Sequence, residues 1–317
     1  MTAYKHIDIS SIINIDNWPR LDEPLAGSRV KDTFVEPGTE NFYIFKQPKK
    51  GREAQIWSEL IASYIAGDLL NWPVQHTRIA LWEDKIGNLL KYIYNPLKDR
   101  FYVGEQLCKD VDPNFDPKQG KRHTWSLIRQ IHDDIIAYND HGKFRPQLSY
   151  EYNLFWARTI AFDTFISNTD RHAENWAFRF DGQSSMMAPF YDNGSSMGCE
   201  NSEETLKSKW FDQSDKILKS KIQAYISKGC HHLRNKTGRY EFEKLCIKVL
   251  KEFPDMRFEY EEIAALDILH IESLLHEIMS IHGLPESARM TKRRSIQIMN
   301  LLHEGQLRVK RCLKEVE

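Results

Sequence analysis

Apolar residues fall in short alternating runs in one part of this chain and at helical spacing in another, and the two patterns are largely segregated. TFV and NFYIFK are β-prone runs separated by the turn signal EPGTEN. REAQIWSELIASYIAGDLL follows, with Ile56, Leu60, Ile61, Tyr64 and Ile65 at three-to-four spacing, and Asn71 and Pro73 close it. VQHTRIALWED and KIGNLLKYIYN predict two more strands joined by a turn over Asp84–Asn88. These elements make a small sheet with one helix packed on it.

Pro96 marks a change. KDVDPNFDPKQGKRHTW, rich in Asp, Pro and Lys, predicts an exposed loop. From Trp125 helices dominate. WSLIRQIHDDIIAY is amphipathic, and SYEYNLFWARTIAFDTFIS has Ser149 as N-cap with Leu154, Ala157, Ile160, Ala161 and Phe165 toward a core. WAFRF and MMAPFY predict a hairpin around Asp181-Gly182, and the last hundred residues read as several helices, from LKSKIQAYISK to MNLLHEGQLRVKRCL. The expected fold class is α+β, with a small β-rich N-lobe over residues 1–95 and a larger helical C-lobe over 96–317.

Composition narrows the classes. With 41% hydrophobic and 12% aromatic residues in 317, the chain can fill a sizeable core. A net charge of -1 supplies no global positive field and argues against direct nucleic-acid binding. The five cysteines are scattered without a CxxC pair, which points to neither a zinc site nor a disulfide framework and fits a reducing cytosol. No apolar run has the length of a signal h-region or a spanning helix, so the expectation is a soluble cytoplasmic protein with no membrane partner.

The chemistry concentrates in SNTDRHAENWAF and APFYDNGSS. Asp170, then Asn175 five positions on, then Asp192 after an apolar run have the spacing of phosphoryl-transfer machinery. Asp170 would orient and deprotonate a hydroxyl. Asn175 and Asp192 offer hard oxygens to Mg2+ on the phosphates of ATP. His172 is read as a brace for this loop and Asn168 as a shaper of it. Arg171 is read either as a contact to the transferring phosphate or as a surface arginine. Upstream, Lys46 ends a strand, where a lysine can reach the α- and β-phosphates, and Glu59 on the next helix can pair with it. Trp82, Tyr92 and Tyr94 are read as lobe core and as the connection beside adenine, with Ile93 in the same stretch. Taken alone, AGSRVK is an ordinary basic turn that matches neither GxGxxG nor the Walker pattern.

With these residues in place the chain resembles the HipA-like serine/threonine kinases of bacterial toxin–antitoxin systems. Ala26-Gly27 and Lys31 match an AGxxxK phosphate loop, Lys46 a strand lysine and Glu59 a helix glutamate. Asn168, Asp170, His172 and Asn175 match N-x-D-x-H-x-x-N, and Pro189–Asp192 match the PFYD run. The resemblance implies a two-lobed, protein-kinase-like fold that uses MgATP to phosphorylate a serine or threonine of a protein, including translation enzymes in some members. It assigns Gly27, Ser28 and Lys31, with Lys46, Glu59, Tyr92 and Ile93, to the nucleotide. It also brings in an antitoxin, or a separate small protein equivalent to the family's N-terminal subdomain, as partners. Some twenty residues precede the phosphate loop here, which reads as a compact kinase module. Pro24 stands where the family's autophosphorylated serine lies, leaving Ser28 as the alternative acceptor. Compact members also include effectors delivered into host cells.

Two rival readings remain. One is a small-molecule or lipid kinase on the same scaffold. The other is a nucleotide-binding pseudokinase regulator with Lys292-Arg293-Arg294 as a patch for nucleic acid or an acidic partner, against which stands a solvated helix face.

Overall fold

The computed structural model describes residues 12–21, 31–96, 98–138, 145–180 and 185–317. They form two compact units. The first comprises residues 1–93, 192–227 and 266–303, and the second residues 94–191, 228–265 and 304–317.

The first unit is built on a six-stranded sheet. Its strands are β1 (Ile13–Asn14), β2 (Arg20–Leu21), β3 (Lys31–Val35), β4 (Phe42–Lys46), β5 (Thr77–Trp82) and β6 (Lys85–Lys91), in the order β1-β5-β6-β4-β3-β2. Neighbours are antiparallel except β1, which pairs in parallel with β5. The two-residue β1 carries no alternation long enough to be read in the sequence. The β5–β6 turn lies at Glu83-Asp84 rather than over Asp84–Asn88. Trp82 pairs with Lys85, and both turn residues have positive φ, the backbone that a two-residue hairpin requires. Phe34, Tyr43, Phe45, Ala80 and Leu89 fill the sheet's core with Ile15.

Helix α1 (Gln55–Tyr64) follows β4 and continues as one π turn over Ile65–Leu69. Asn71, at φ 53, stops it. Its N-terminus has no side-chain cap, so packing holds it in place. Asn88 Nδ2 on β6 donates to the Ile56 carbonyl at 2.9 Å, and Trp57 Nε1 donates to the Ala288 carbonyl at 2.7 Å.

The second unit begins with β7 (Arg100–Val103) and α2 (Gly104–Val111). α2 occupies the start of the segment expected to be a loop, and the loop proper runs from Asp112 to Thr124. Gly104 is required here, because a Cβ at this position would lie 2.1 Å from the Trp176 ring. Helix α3 (Trp125–Tyr138) matches its expected bounds, whereas α4 (Arg145–Ile166) starts before Ser149. The Ser149 hydroxyl is not a cap; it bonds His132 Nε2 at 3.0 Å. Strands β8 (Ala177–Phe180) and β9 (Ser185–Met187) form the expected hairpin, and β8 pairs with β7; the hairpin turn at Asp181-Gly182 lies outside the described residues.

The short α5 (Glu203–Thr205) and α6 (Lys219–Lys228) come next. The hairpin β10 (Cys230–Asn235) and β11 (Gly238–Glu241) then leads into α7 (Phe242–Glu252), α8 (Arg257–Ala265), α9 (Leu269–Met279) and α10 (Lys292–Glu315). In the second unit α4 is the central helix, with Trp156 edge-on to Trp125 and Trp176 and Phe162 stacked on Phe190. Each such aromatic side chain contributes about 1.5–3 kcal/mol by burial. Gly305 lets α10 pass close to α4, since a Cβ there would lie 1.9 Å from the Phe165 carbonyl oxygen.

Candidate active site

In the first unit β4 carries Lys46 into the interior, where it is 4% exposed. Its Nζ lies 2.7 Å from Asp192 Oδ1. The cross-strand register sets Lys31 of β3 directly opposite Lys46. Like charges in that position cost stability, and the Asp192 carboxylate beside Lys46 offsets part of that cost.

Asp192 does not end a strand. β9 stops at Met187, and Asp192 has φ 53, the left-handed region that aspartate enters more readily than most residues. The backbone that follows is held by Glu59. This α1 carboxylate, 2% exposed, accepts the Asn193 N–H at 2.8 Å with Oε1 and the Gly194 N–H at 2.9 Å with Oε2. Ser58 Oγ donates to the Ser196 carbonyl at 3.1 Å, one residue earlier on the same helix. Glu59 thus clamps the backbone after Asp192, a role that its helical position alone does not reveal.

Tyr92 sits just after β6. Its N–H donates to the Phe42 carbonyl at 2.9 Å and its hydroxyl bonds Thr33 Oγ1 at 3.1 Å, fixing the end of the sheet. Ile93 is the last residue of this stretch of the unit and is half-buried. Ala26, Gly27 and Ser28 lie outside the described residues.

In the second unit α4 ends at Ile166, and Ser167, at φ 56, hands the chain to Asn168. Asn168 is fully buried. Its Nδ2 donates to Asp163 Oδ1 at 2.9 Å and its Oδ1 accepts the Asp170 N–H at 3.1 Å. The Asp170 carbonyl accepts both the His172 N–H and Asn175 Nδ2, each at 2.7 Å. Asn175 therefore spends its amide nitrogen on the loop, which leaves Oδ1 as its acceptor end. His172 Nδ1 accepts the Glu174 N–H at 3.2 Å and so caps the short turn that carries Asn175. The Asp170 side chain is partly exposed.

Arg171 is neither a surface group nor a phosphate contact. It is 1% exposed, and Nε and Nη2 donate to the two Asp163 oxygens at 3.0 and 2.8 Å. Its Nη1 donates to the Asn175 and Tyr191 carbonyls at 3.0 and 2.8 Å. One guanidinium therefore bolts the Asp170 loop to α4 and to the residue preceding Asp192. Asp163, wholly buried on α4, also accepts from His231 Nε2 at 3.1 Å, while His231 Nδ1 accepts the Leu233 N–H. Burial alone would raise the Asp163 pKa; the Arg171 charge and the His231 bond outweigh it and hold the carboxyl below its ordinary value. Sequence reasoning passed over Asp163 and His231. The available signal was a carboxylate on the apolar helix TIAFDTFIS, eight residues before an arginine.

Behind the loop sits a histidine pair. His123 Nδ1 is 3.2 Å from His232 Nδ1, and Trp176 Nε1 donates to His123 Nε2 at 3.3 Å. Burial, then neighbouring His232, pushes the His123 pKa well below the ordinary value; burial, then Arg239, lowers that of His232 to about 3. Both rings are neutral at pH 7.

The Lys292-Arg293-Arg294 run does not form a basic patch. Arg294 is 3% exposed and bonded to Glu203 and the Gly198 carbonyl, and Arg293 is paired with Asp215.

The fold matches solved structures. Over 96% of this chain and 98% of the other, it is similar to the crystal structure of a Helicobacter pylori proinflammatory kinase, CtkA, with a TM-score of 0.72 at 16% sequence identity. It is also similar to a structure of the Shewanella oneidensis MR-1 toxin–antitoxin system, HipA and HipB with operator DNA, over 94% of this chain and 67% of the other, with a TM-score of 0.52 at 13% identity. No family model and no curated protein matches the sequence. The α+β, kinase-like fold expected from the residues is thus the fold found.

Proposed function

We propose that this protein is an ATP- and magnesium-dependent protein serine/threonine kinase of the HipA-like toxin type. The observation that carries the reading is the pair of buried Lys46 with half-buried Asp192 at 2.7 Å. A half-exposed carboxylate beside a buried lysine suits a group that must meet phosphates and a cation. The fold shared with a structure described as a kinase supports the same conclusion.

In this reading Lys46 and Lys31 neutralise the nucleotide phosphates, and Gly27 and Ser28 belong to the phosphate loop. Tyr92 and Ile93 lie toward the base. Asp170 accepts the proton of the incoming hydroxyl and orients its oxygen. Asn175 Oδ1 and the Asp192 carboxylate are donors of the type magnesium prefers, hard oxygens, one neutral and one charged. When bound, that ion supplies charge neutralisation on the transferring phosphate. Glu59 holds the backbone that follows Asp192, while Asn168, Arg171 and His172 hold the Asp170 loop.

The acceptor is a serine or threonine of a protein. An antitoxin-type partner belongs to the same proposal, since the similar HipA structure contains HipB. Among the described residues no helix is long and apolar enough to cross a membrane. Incubating the protein with γ-labelled ATP and a cell lysate tests the acceptor class. Label on protein serine or threonine is the expected result. Label confined to lipid or soluble metabolites would replace this reading with the small-molecule one, and no transfer at all would favour the pseudokinase.

A further inference from the structure

Between Thr205 and Ile222 the chain carries five lysines and two aspartates, although its overall net charge is only -1. This segment folds on its own small core of Leu206, Trp210, Phe211, Ile222 and Ile226, packed on Leu301 of α10. Phe211 pairs antiparallel with Ile217, and the Leu218 N–H donates to the Trp210 carbonyl at 2.8 Å. That register brings Lys209, next to Trp210, alongside Lys219, next to Leu218.

All five lysines are exposed. Lys207, Lys209, Lys219 and Lys221 make no ion pair among the described residues, and Lys216 lies beside Asp212. The two aspartates are committed internally. Asp212 accepts the Ser214 and Lys216 N–H groups and the Ser214 hydroxyl, and Asp215 pairs with Arg293. Lys219 and Lys221 also stand in the first turn of the ten-residue α6, which has no acidic residue there. Cations at a helix N-terminus oppose the macrodipole and cost stability. Such a local cost is kept where a surface has a use.

We propose that this exposed, lysine-rich segment docks an acidic polypeptide segment, rich in Asp and Glu, of a protein substrate or partner. Charge complementarity selects an anion. A polypeptide is favoured over nucleic acid because the patch holds lysines and no arginine fork for phosphates or bases. In addition, Trp210 and Phe211 are 6% and 4% exposed and give no platform for stacking bases.

The test is fluorescence anisotropy of a fluorescein-labelled oligoglutamate peptide on the full chain, with oligothymidylate of equal length in parallel. Binding is read without turnover, so the result is independent of the kinase reading. The expected result is peptide binding that weakens with salt and falls about tenfold or more in Lys209→Gln/Lys216→Gln/Lys219→Glu/Lys221→Glu. Glutamates in the first turn of α6 suit its dipole, and an unchanged melting transition verifies the fold. Lys219→Gln/Lys221→Gln repeats the test without charge reversal and should also weaken binding. No binding by the wild type, equal binding by both variants, or tighter binding of the oligothymidylate would each overturn the proposal.

Discussion

Arg171 shows how one side chain can matter without touching the chemistry. Its guanidinium is buried against an equally buried Asp163, and the pair takes up the Asn168 and His231 hydrogen bonds as well. Breaking such a pair from one side leaves a buried charge with no counter-charge, which costs about 3–5 kcal/mol. Arg171→Met is therefore expected to lower the urea midpoint steeply, whereas Asn168→Ala, which removes hydrogen bonds but no charge, should cost about 1–3 kcal/mol. Comparable midpoints for the two variants would count against the assignment. At this scale the sequence was most informative where a residue's chemistry is rare and least where its burial decides its role. Asp170, Asn175 and Asp192 stood out by spacing. Arg171 read as ambiguous because nothing local tells a buried arginine from an exposed one. Glu59 stood out as a partner for a lysine, and its bonds to the Asn193 and Gly194 amides, contacts that span more than a hundred residues, carried no signal in the sequence.

The elements explain a pH dependence. β10 brings His232 against His123, in the loop before α3, with Trp176 on the far side. Arg239 on β11 and His172 in the Asp170 loop face the same cluster, and their charges add to burial in keeping His232 unprotonated. The unfolded chain protonates these rings near pH 6.5, whereas the folded protein resists down to about 3 for His232 and to well below 6.5 for His123. The unfolded state thus binds more protons below pH 6.5, and stability present at neutral pH is lost as pH falls. The expected slope between pH 6 and 4.5 is about 1.4 kcal/mol per pH unit from His232, and His123 adds to it in the same direction. Denaturant midpoints across that range check it, and His232→Asn should flatten the curve. An identical slope in the variant would remove the cluster as the cause. The long apolar patterns predicted their elements well: β3 to β6, α1, α3 and the β8–β9 hairpin all appear. The misses have local causes. α2 was hidden by the Asp, Pro and Lys-rich sequence that follows its helical turns. The start of α4 was misplaced because Ser149 looked like a cap while its hydroxyl serves His132.

For the molecule as a whole, the fold was legible as a class because the segregation of strand-like and helix-like patterns survives in any kinase-like chain. Assignment of later segments was not legible. Residues 192–227 and 266–303 cluster with the N-terminal sheet, and no periodicity within a segment records which distant surface it will cover. Charge behaves in the same way: a total of -1 conceals a segment with five exposed lysines, one of whose two aspartates is paired with Arg293. The central claim concerns phosphoryl transfer, and a single substitution isolates it. Asp170→Asn keeps the size of the side chain and the bonds made by the Asp170 N–H and carbonyl. The decisive measurement is transfer of labelled γ-phosphate from ATP to protein by purified wild type and Asp170→Asn, at matched magnesium and with melting curves recorded. Transfer by the wild type that drops by about a hundredfold or more in a variant of unchanged stability is the predicted result. Equal transfer by the two proteins would contradict the account.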